Sequence, residues 1–564
     1  MGHRPHSRGV QPDGNPRGVR VPACRCGGNP QSFGNSPDHR SVPQFPRRAI
    51  SLRRTLHGTI ILAAILTLAA ATLSRAQEAQ TILIQGGTVL DGTGRPGHVK
   101  DIRVLRDRII AIGRLKQQQG ERVIDARGMV VSPGFIDTHS HADGGLLEDP
   151  DAETQVRQGI TTSVVGQDGS SHFPLSDWFG ELERKHVALN IASFLGHGTV
   201  RRQVMGDGYK RTSTPDEVKR MQELVRQEMR SGALGVSSGL EYDPGFYSST
   251  EELIGLARAS SPFGGIYISH VRDEGNDALK SFSELIRIAA EGHVPAQISH
   301  IKLDTQPVWG KAGDALRLMA DARRRGLDIS ADVYPYLYWQ STIMVLIPSR
   351  DWDNRALWEK GLADVGGPEH VLLTTYSARP EWQGKTIAQI ATQTGRDAID
   401  VIQEIVHTAH DPGKTASEGV VVTAMTDADL DAFIADPHIM FCSDGGLHGS
   451  HPRGAGSFPR VLGVYVRERH VLTLPQAVHK MTGLPAQRMG FRDRGHIAHG
   501  MKADIVVFDP ATVRDTATTA NPQSPPVGIP YVFVNGQLVV DNGAVTGRHP
   551  GAVLRHESPP ETMK

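Results

Sequence analysis

Two rhythms of apolar and polar positions alternate along the chain. Near the start, Thr81-Ile-Leu-Ile, Gly87-Thr-Val-Leu, Ile102-Arg-Val-Leu and Arg108-Ile-Ile-Ala-Ile are short apolar segments with turns between them. Ala503-Asp-Ile-Val-Val-Phe, Tyr531-Val-Phe-Val and Gln537-Leu-Val-Val repeat the pattern near the end. Such segments predict strands, and the two clusters predict one small β-sandwich built from residues 77–130 and 491–564. The long middle behaves differently. Apolar runs recur at Val130–Ile136, Ile160–Val165, Leu189–Leu195, Ala233–Val236, Gly265–Ile268, Pro295–Ile298, Leu327–Val333 and His438–Phe441. Each ends in polar or small residues and is followed by a helical pattern. Eight strand-then-helix units predict an α/β fold, a (β/α)8 TIM-like barrel over 131–490. Spacing is regular except before the eighth run. There residues 345–435, with helical stretches of their own, are expected to form an insertion after strand seven, a lid or subdomain.

The residues that follow the runs change the picture from fold to chemistry. They include Asp137-Thr-His139-Ser-His141, Gly166-Gln-Asp168, Gly196-His197, Ser269-His270, Ser299-His300-Ile-Lys302, Tyr334-Pro-Tyr336 and Ser443-Asp444. In a barrel these positions share the face where active sites are built. His-X-His in β geometry points both imidazoles the same way. Imidazole suits zinc and similar divalent metals, and a catalytic site keeps one position open. Alone, His139-X-His141 is weak evidence. With Asp168, His270, His300 and Asp444 at the same rim, it predicts a metal centre. Six groups exceed what one zinc needs, so two ions, or one tight and one loose, fit better. Asp444 is the candidate general base, a role compatible with ligation. His197, at the third strand end, is within reach of a substrate. His448 and His451 lie in a Gly-rich loop able to close over an acyl group, and neither they nor His172 are expected to ligate metal.

Charge and cysteine usage narrow the class. The 61 bases and 61 acids cancel, but residues 1–76 hold eleven Arg and two Asp, leaving 50 bases and 59 acids in the body. A mildly acidic body without a basic stripe makes nucleic acid an unexpected partner. Cys24 and Cys26 lie in the leader, so Cys442 stands alone, no disulfide is possible within the body, and a small buried strand residue is expected there. Residues 1–45 lack periodicity. Arg47, Arg48, Arg53 and Arg54 then precede an apolar run from Ile60 to Leu73 and the small residues of Ser74-Arg-Ala. That order predicts a secretory signal cleaved after Ala76, and hence a periplasmic or secreted protein. The run is short for a bilayer span, so no stable membrane segment is expected after cleavage, a retained anchor being the alternative. Arg47-Arg48 weakly suggests a twin-Arg route, and the long leader suggests a misassigned start codon.

Gly134-Phe-Ile-Asp-Thr-His-Ser-His and Gly500-Met-Lys-Ala-Asp-Ile-Val-Val-Phe-Asp resemble the amidohydrolase superfamily. Further stretches resemble the N-acyl-D-amino-acid deacylases, or D-aminoacylases: Gly239-Leu-Glu-Tyr-Asp-Pro-Gly, Ser269-His-Val-Arg-Asp-Glu, Asp332-Val-Tyr-Pro-Tyr, Ser443-Asp-Gly-Gly, His451-Pro-Arg-Gly and Met481-Thr-Gly-Leu-Pro-Ala. The resemblance runs from about residue 80 to 555. It implies hydrolysis of the amide between an acyl group and a D-amino acid, or of a peptide ending in a D-residue, with zinc or another divalent metal, one or two ions per chain. It implies one site from His139, His141 and Asp444, and another that includes His270 and His300. It also implies a grip on the free α-carboxylate by Lys302, Tyr334 or Tyr336, Ser341 and Arg379. One departure stands out: Asp168 occupies the place of a metal-ligating Cys, a harder donor able to bridge two ions. The variant with a carboxylated Lys after strand four is not supported by Ser237-Ser-Gly-Leu-Glu-Tyr, although Glu241 could substitute. Two other readings are a cyclic-amide hydrolase resembling dihydroorotase or hydantoinase, and a non-catalytic barrel that binds metal or ligand.

Overall fold

The computed structural model describes residues 81–411 and 413–557. The signal segment expected over 1–76, with Cys24 and Cys26, lies outside the described residues. Each of the eight apolar runs holds a strand: β1 (Phe135–Asp137), β2 (Ile160–Val165), β3 (Asn190–Ser193, continued by Leu195–Gly196), β4 (Gly235–Gly239), β5 (Ile266–His270), β6 (Ala296–Ile298), β7 (Ile329–Val333) and β8 (Ile439–Phe441). All neighbours pair in parallel, β1-β2-β3 in one set and Leu195–Gly196-β4-β5-β6-β7-β8 in another. Backbone hydrogen bonds link the sets. Leu234 donates to Ser193 O at 2.9 Å; beyond β8, Asp444 donates to His139 O at 2.9 Å and His141 to Gly445 O at 3.0 Å. Every residue of these strands is buried, as parallel strands covered by helices require.

The helix between β3 and β4 shows how sequence sets such cover. Thr214 and Glu217 form a capping box, Pro215 takes the first turn, and Gly232 closes the end at φ 106°. Met221, Val225 and Met229, four apart, form its buried stripe.

The first apolar run is not one strand but two. Val130–Pro133 pairs with Ile82–Val89 in parallel and with Ile505–Phe508 antiparallel, whereas β1 pairs with β2. Gly134 is the joint: a Cβ there would stand 2.1 Å from Thr161 Oγ1. Through Val130–Pro133, strands from both ends of the described chain enter one mixed nine-stranded sheet. Ile84, Ile102 and Val104 from one end share an apolar cluster with Ile505, Val507 and Phe533 from the other.

The insertion differs from expectation in content and bounds. It carries a four-stranded antiparallel sheet, ordered Tyr338–Ser341, Glu418–Thr423, Val371–Tyr376, Lys385–Thr386, as well as helices. Its first strand precedes residue 345. The helix Asp427–Ala435, expected within it, packs instead on β8 and the helix Ala312–Arg324. Cys442 is a buried free thiol just past β8. No helix among the described residues is long and apolar enough to cross a membrane.

Candidate metal centre

The turns after the parallel strands converge. His139 and His141 follow β1, Asp168 follows β2, His270 ends β5, His300 follows β6 and Asp444 follows β8. Asp168, His300 and Asp444 hold positive φ of 52°, 31° and 50°. Left-handed backbone at a non-glycine costs of order 1–3 kcal/mol. Surrounding hydrogen bonds hold these turns. Asp137 accepts from the Ser443 amide at 2.8 Å and the Ser443 hydroxyl at 2.5 Å, tying the end of β1 to the end of β8. Burial pushes its carboxyl up to about 7, against those bonds. Asp332 on β7 accepts from the His300 amide at 2.5 Å and from Thr138 Oγ1 at 3.1 Å.

His139 Nε2 stands 3.4 Å from Asp168 Oδ1 and 3.5 Å from Asp444 Oδ1. His141 Nε2 is 3.3 Å from Asp168 Oδ2 and 3.2 Å from Asp444 Oδ1, and His300 Nε2 is 3.5 Å from Asp168 Oδ1. His270 Nδ1 faces His300 Nε2 at 3.2 Å, while its Nε2 meets Glu241 at 2.9 Å. Two donor sets result, His139–Asp168–His300–Asp444 and His270–Glu274–His300, each with ligand atoms within 4.8 Å of one another. His300 belongs to both, a grouping different from the one implied by resemblance.

These residues fit a divalent cation. His139 has no exposed side-chain surface, yet neither ring nitrogen finds a hydrogen-bond partner; Asp168 Oδ1 and Glu274 Oε1 are buried and equally unpartnered. Buried polar atoms are rarely left this way. Burial lowers the proton affinity of His300, as does Lys302, but Asp444, Glu274 and Asp168 outweigh both and raise it to about 10. A cation takes the place of such protons. Asp168, at the place where the resemblance expects a thiolate, brings its two oxygens within 3.5 Å of three imidazoles.

Above the donors lies a cavity of about 780 Å³. Lys302 and Ser341, two of the residues implied for the carboxylate grip, line it. Lys302 is buried, 2.8 Å from Glu274 Oε2 and 2.6 Å from His300 Nδ1; burial lowers its affinity for a proton, but Glu274 holds it well above the ordinary value. Tyr334 is buried between two cations, with Lys302 Nζ 5.7 Å and Arg453 4.9 Å from its ring centroid. Tyr336 turns away, its hydroxyl 3.3 Å from Asp515 Oδ2 and its ring under Arg460. Arg379 is not brought to the cavity: half-exposed, it pairs with Glu404 at 2.8 Å and stacks on Trp382. The charge sequence reasoning missed is Arg453. It lines the cavity, lies 2.6 Å from Asp444 Oδ2 and keeps a buried Nε without a partner. Its signal was the position of His451-Pro-Arg-Gly just beyond Asp444. His451 is buried and accepts the Arg453 amide hydrogen bond at 2.9 Å. His197 is buried against Glu252 at 2.7 Å, His448 is exposed near Asp149, and His172 stacks on Trp178 at the cavity wall.

The sequence profile of the amidohydrolase family matches residues 122–431 and 359–540. The chain belongs to the amidohydrolase family. This amidohydrolase is 36% identical over 501 residues to the D-aminoacylase of Alcaligenes xylosoxydans xylosoxydans, covering 84% of this chain and 97% of that enzyme. A solved D-aminoacylase, studied for a binuclear metal centre that one metal activates and a second attenuates, superposes with TM-score 0.74 at 36% identity, over 84% of this chain and 99% of that one. The N-acyl-D-glutamate deacylase of Bordetella bronchiseptica, complexed with zinc and a phosphonate mimic of the tetrahedral intermediate, gives TM-score 0.75 at 34% identity, over 85% and 100%. The amidohydrolase therefore has the α/β fold of these deacylases.

Proposed function

We propose that this amidohydrolase hydrolyses the amide of N-acyl-D-amino acids, or of short peptides ending in a D-residue, with one or two divalent cations held by His139, His141, Asp168, His270, His300 and Asp444. The observation that carries the reading is the pair of donor sets sharing His300 beneath a cavity that also presents Arg453 and Lys302. Selectivity for the D series draws its support from the deacylases above. Cations beside the donor sets suit a free α-carboxylate next to the scissile amide, because charge-assisted hydrogen bonds to carboxylate are strong. An unsubstituted hydantoin or dihydropyrimidine has no such carboxylate to place.

A divalent cation held at such a site supplies Lewis-acid polarisation of the scissile carbonyl and lowers the pKa of water. Arg453, with an unpartnered Nε, and Lys302 orient the α-carboxylate, and Ser341 adds a hydroxyl. Asp444 is fixed by Arg453 on one oxygen and faces His139 and His141 with the other. Burial pushes its carboxyl up, but Arg453 and His300 hold it well below the ordinary value, so it stands ionised, the form in which a general base acts. It takes one from the attacking water and returns it to the departing nitrogen. One amide and one water become one carboxylate and one ammonium group.

The eight parallel strands fit a (β/α)8 barrel, closed by the bonds between the ends of β1 and β8. The mixed sheet fits the small β-sandwich from both ends of the body. The order of charge, apolar run and small residues over 47–76 supports export to the periplasm or beyond.

Asp444→Asn tests the mechanism. Hydrolysis should fall by roughly 10²–10⁴-fold, the contribution of a positioned acid–base group, with the protein folded. Unchanged turnover would remove Asp444 as the base.

A further inference from the structure

Beside the metal-binding end, a second lobe of about 250 Å³ shares Glu241, Asp304, Trp339 and Val345 with the main cavity. Its floor is apolar, made by Leu346, Ile347, Leu357 and Val365 from the insertion. Its charge is one-sided. Glu241, Asp273, Asp304 and Asp364 line it against a single cation, Lys360, which is already paired with Asp364. Asp304 Oδ1 is buried without a hydrogen-bond partner, and Asp273 Oδ1 receives only the backbone amides of Gly275 and Asp277, at 2.9 and 3.0 Å. The main cavity is lined by two cations, Lys302 and Arg453, the pair assigned above to the α-carboxylate, so a second carboxylate on the substrate finds no third Lys or Arg in that lining.

Resting on the deacylase reading, we infer that this lobe receives the side chain of the D-residue. It selects a long apolar stem with a cationic end, as in a D-lysine derivative, over a neutral end, and rejects an anionic one. Apolar walls take the methylenes while carboxylates meet the terminal charge, the arrangement an amphipathic cation favours. An anionic end would stand among carboxylates in a partly desolvated lobe, where like charges repel strongly.

The test is kcat/KM for N-acetyl-D-lysine, N-acetyl-D-norleucine and N-acetyl-D-glutamate on the metal-loaded protein. The expected order is lysine, norleucine, glutamate, with about a tenfold fall at each step. Asp304→Asn and Asp273→Asn should each lower the lysine-to-norleucine ratio, with norleucine as internal reference for folding. Leu357→Trp should cut all long side chains while sparing N-acetyl-D-alanine. Glutamate cleaved as fast as norleucine, or a ratio unmoved by both Asp variants, overturns the assignment. So does a Leu357→Trp effect that follows acyl length, acetyl against hexanoyl, instead of side-chain length. If norleucine is cleaved and the order fails, only the lobe assignment falls. If no D substrate is cleaved, the deacylase reading falls and takes the lobe with it.

Discussion

Replacing Arg453 and Arg379 in parallel separates two places for the carboxylate grip. Arg453 is 8% exposed and pairs with the buried Asp444 at 2.6 Å, whereas Arg379 pairs with Glu404 outside the cavity lining. If Arg453 pairs with the substrate carboxylate, removing that buried, hydrogen-bonded charge partner costs about 2–5 kcal/mol, roughly 30- to 4,000-fold. Arg453→Ala should therefore lower kcat/KM on an N-acetyl-D-amino acid by that factor. It should affect the decarboxylated amide, an N-acetyl alkylamine, much less. Arg379→Ala breaks a surface ion pair worth about 0–1 kcal/mol and should leave both substrates within a few-fold of the parent. The assay is the ratio of kcat/KM values for acid and decarboxylated substrate in each variant, with thermal unfolding to confirm the fold. A loss larger in Arg379→Ala than in Arg453→Ala would refute the reasoning. Equal losses on both substrates in Arg453→Ala would assign Arg453 to Asp444 alone.

Two further outcomes concern stability. Stripping divalent metal with a chelator should lower Tm, because a ligand at a thousand times its Kd stabilises by about 4 kcal/mol; an unchanged Tm with metal demonstrably removed would contradict the donor sets. Glu252 is 1% exposed and bound by His197, Arg201 and Ser213. Burial raises its pKa, but those partners outweigh burial and lower it from 4.5 to about 2. A depressed carboxyl stabilises above its unfolded value, so of order 3 kcal/mol should be fully present above pH 4.5 and disappear as pH falls towards 2. Glu252→Gln should flatten that limb of the unfolding profile, and an unaltered acid limb would argue against the pair.

Where one strand pattern met one fate, the chain was legible. The eight apolar runs hold eight parallel strands because each run is buried on both faces and needs no distant partner to be recognised. Val130–Ile136 was misleading because its first half pairs with Ile505–Phe508, a contact invisible to local periodicity. The inserted sheet escaped notice for the same reason, since Tyr338–Ser341 finds its partner in Glu418–Thr423. In the site, His139, His141, Asp168, His270, His300 and Asp444 were readable as residues that end strands. Glu274, four residues after His270, joins a donor set only because the turn after β5 returns it towards His300, 3.2 Å away. Arg453 and Arg379 carry the same charge in loops of similar appearance. Only the packing of His451 under Tyr338 and the cavity wall decides which one reaches Asp444.

The central claim is tested most directly by release of free amino acid from matched N-acetyl-D- and N-acetyl-L-norleucine by residues 77–564 loaded with zinc. Cleavage of the D substrate alone, abolished by chelation and restored by added metal, is the predicted result. Cleavage of the L substrate, or of neither while metal is bound, would contradict the account.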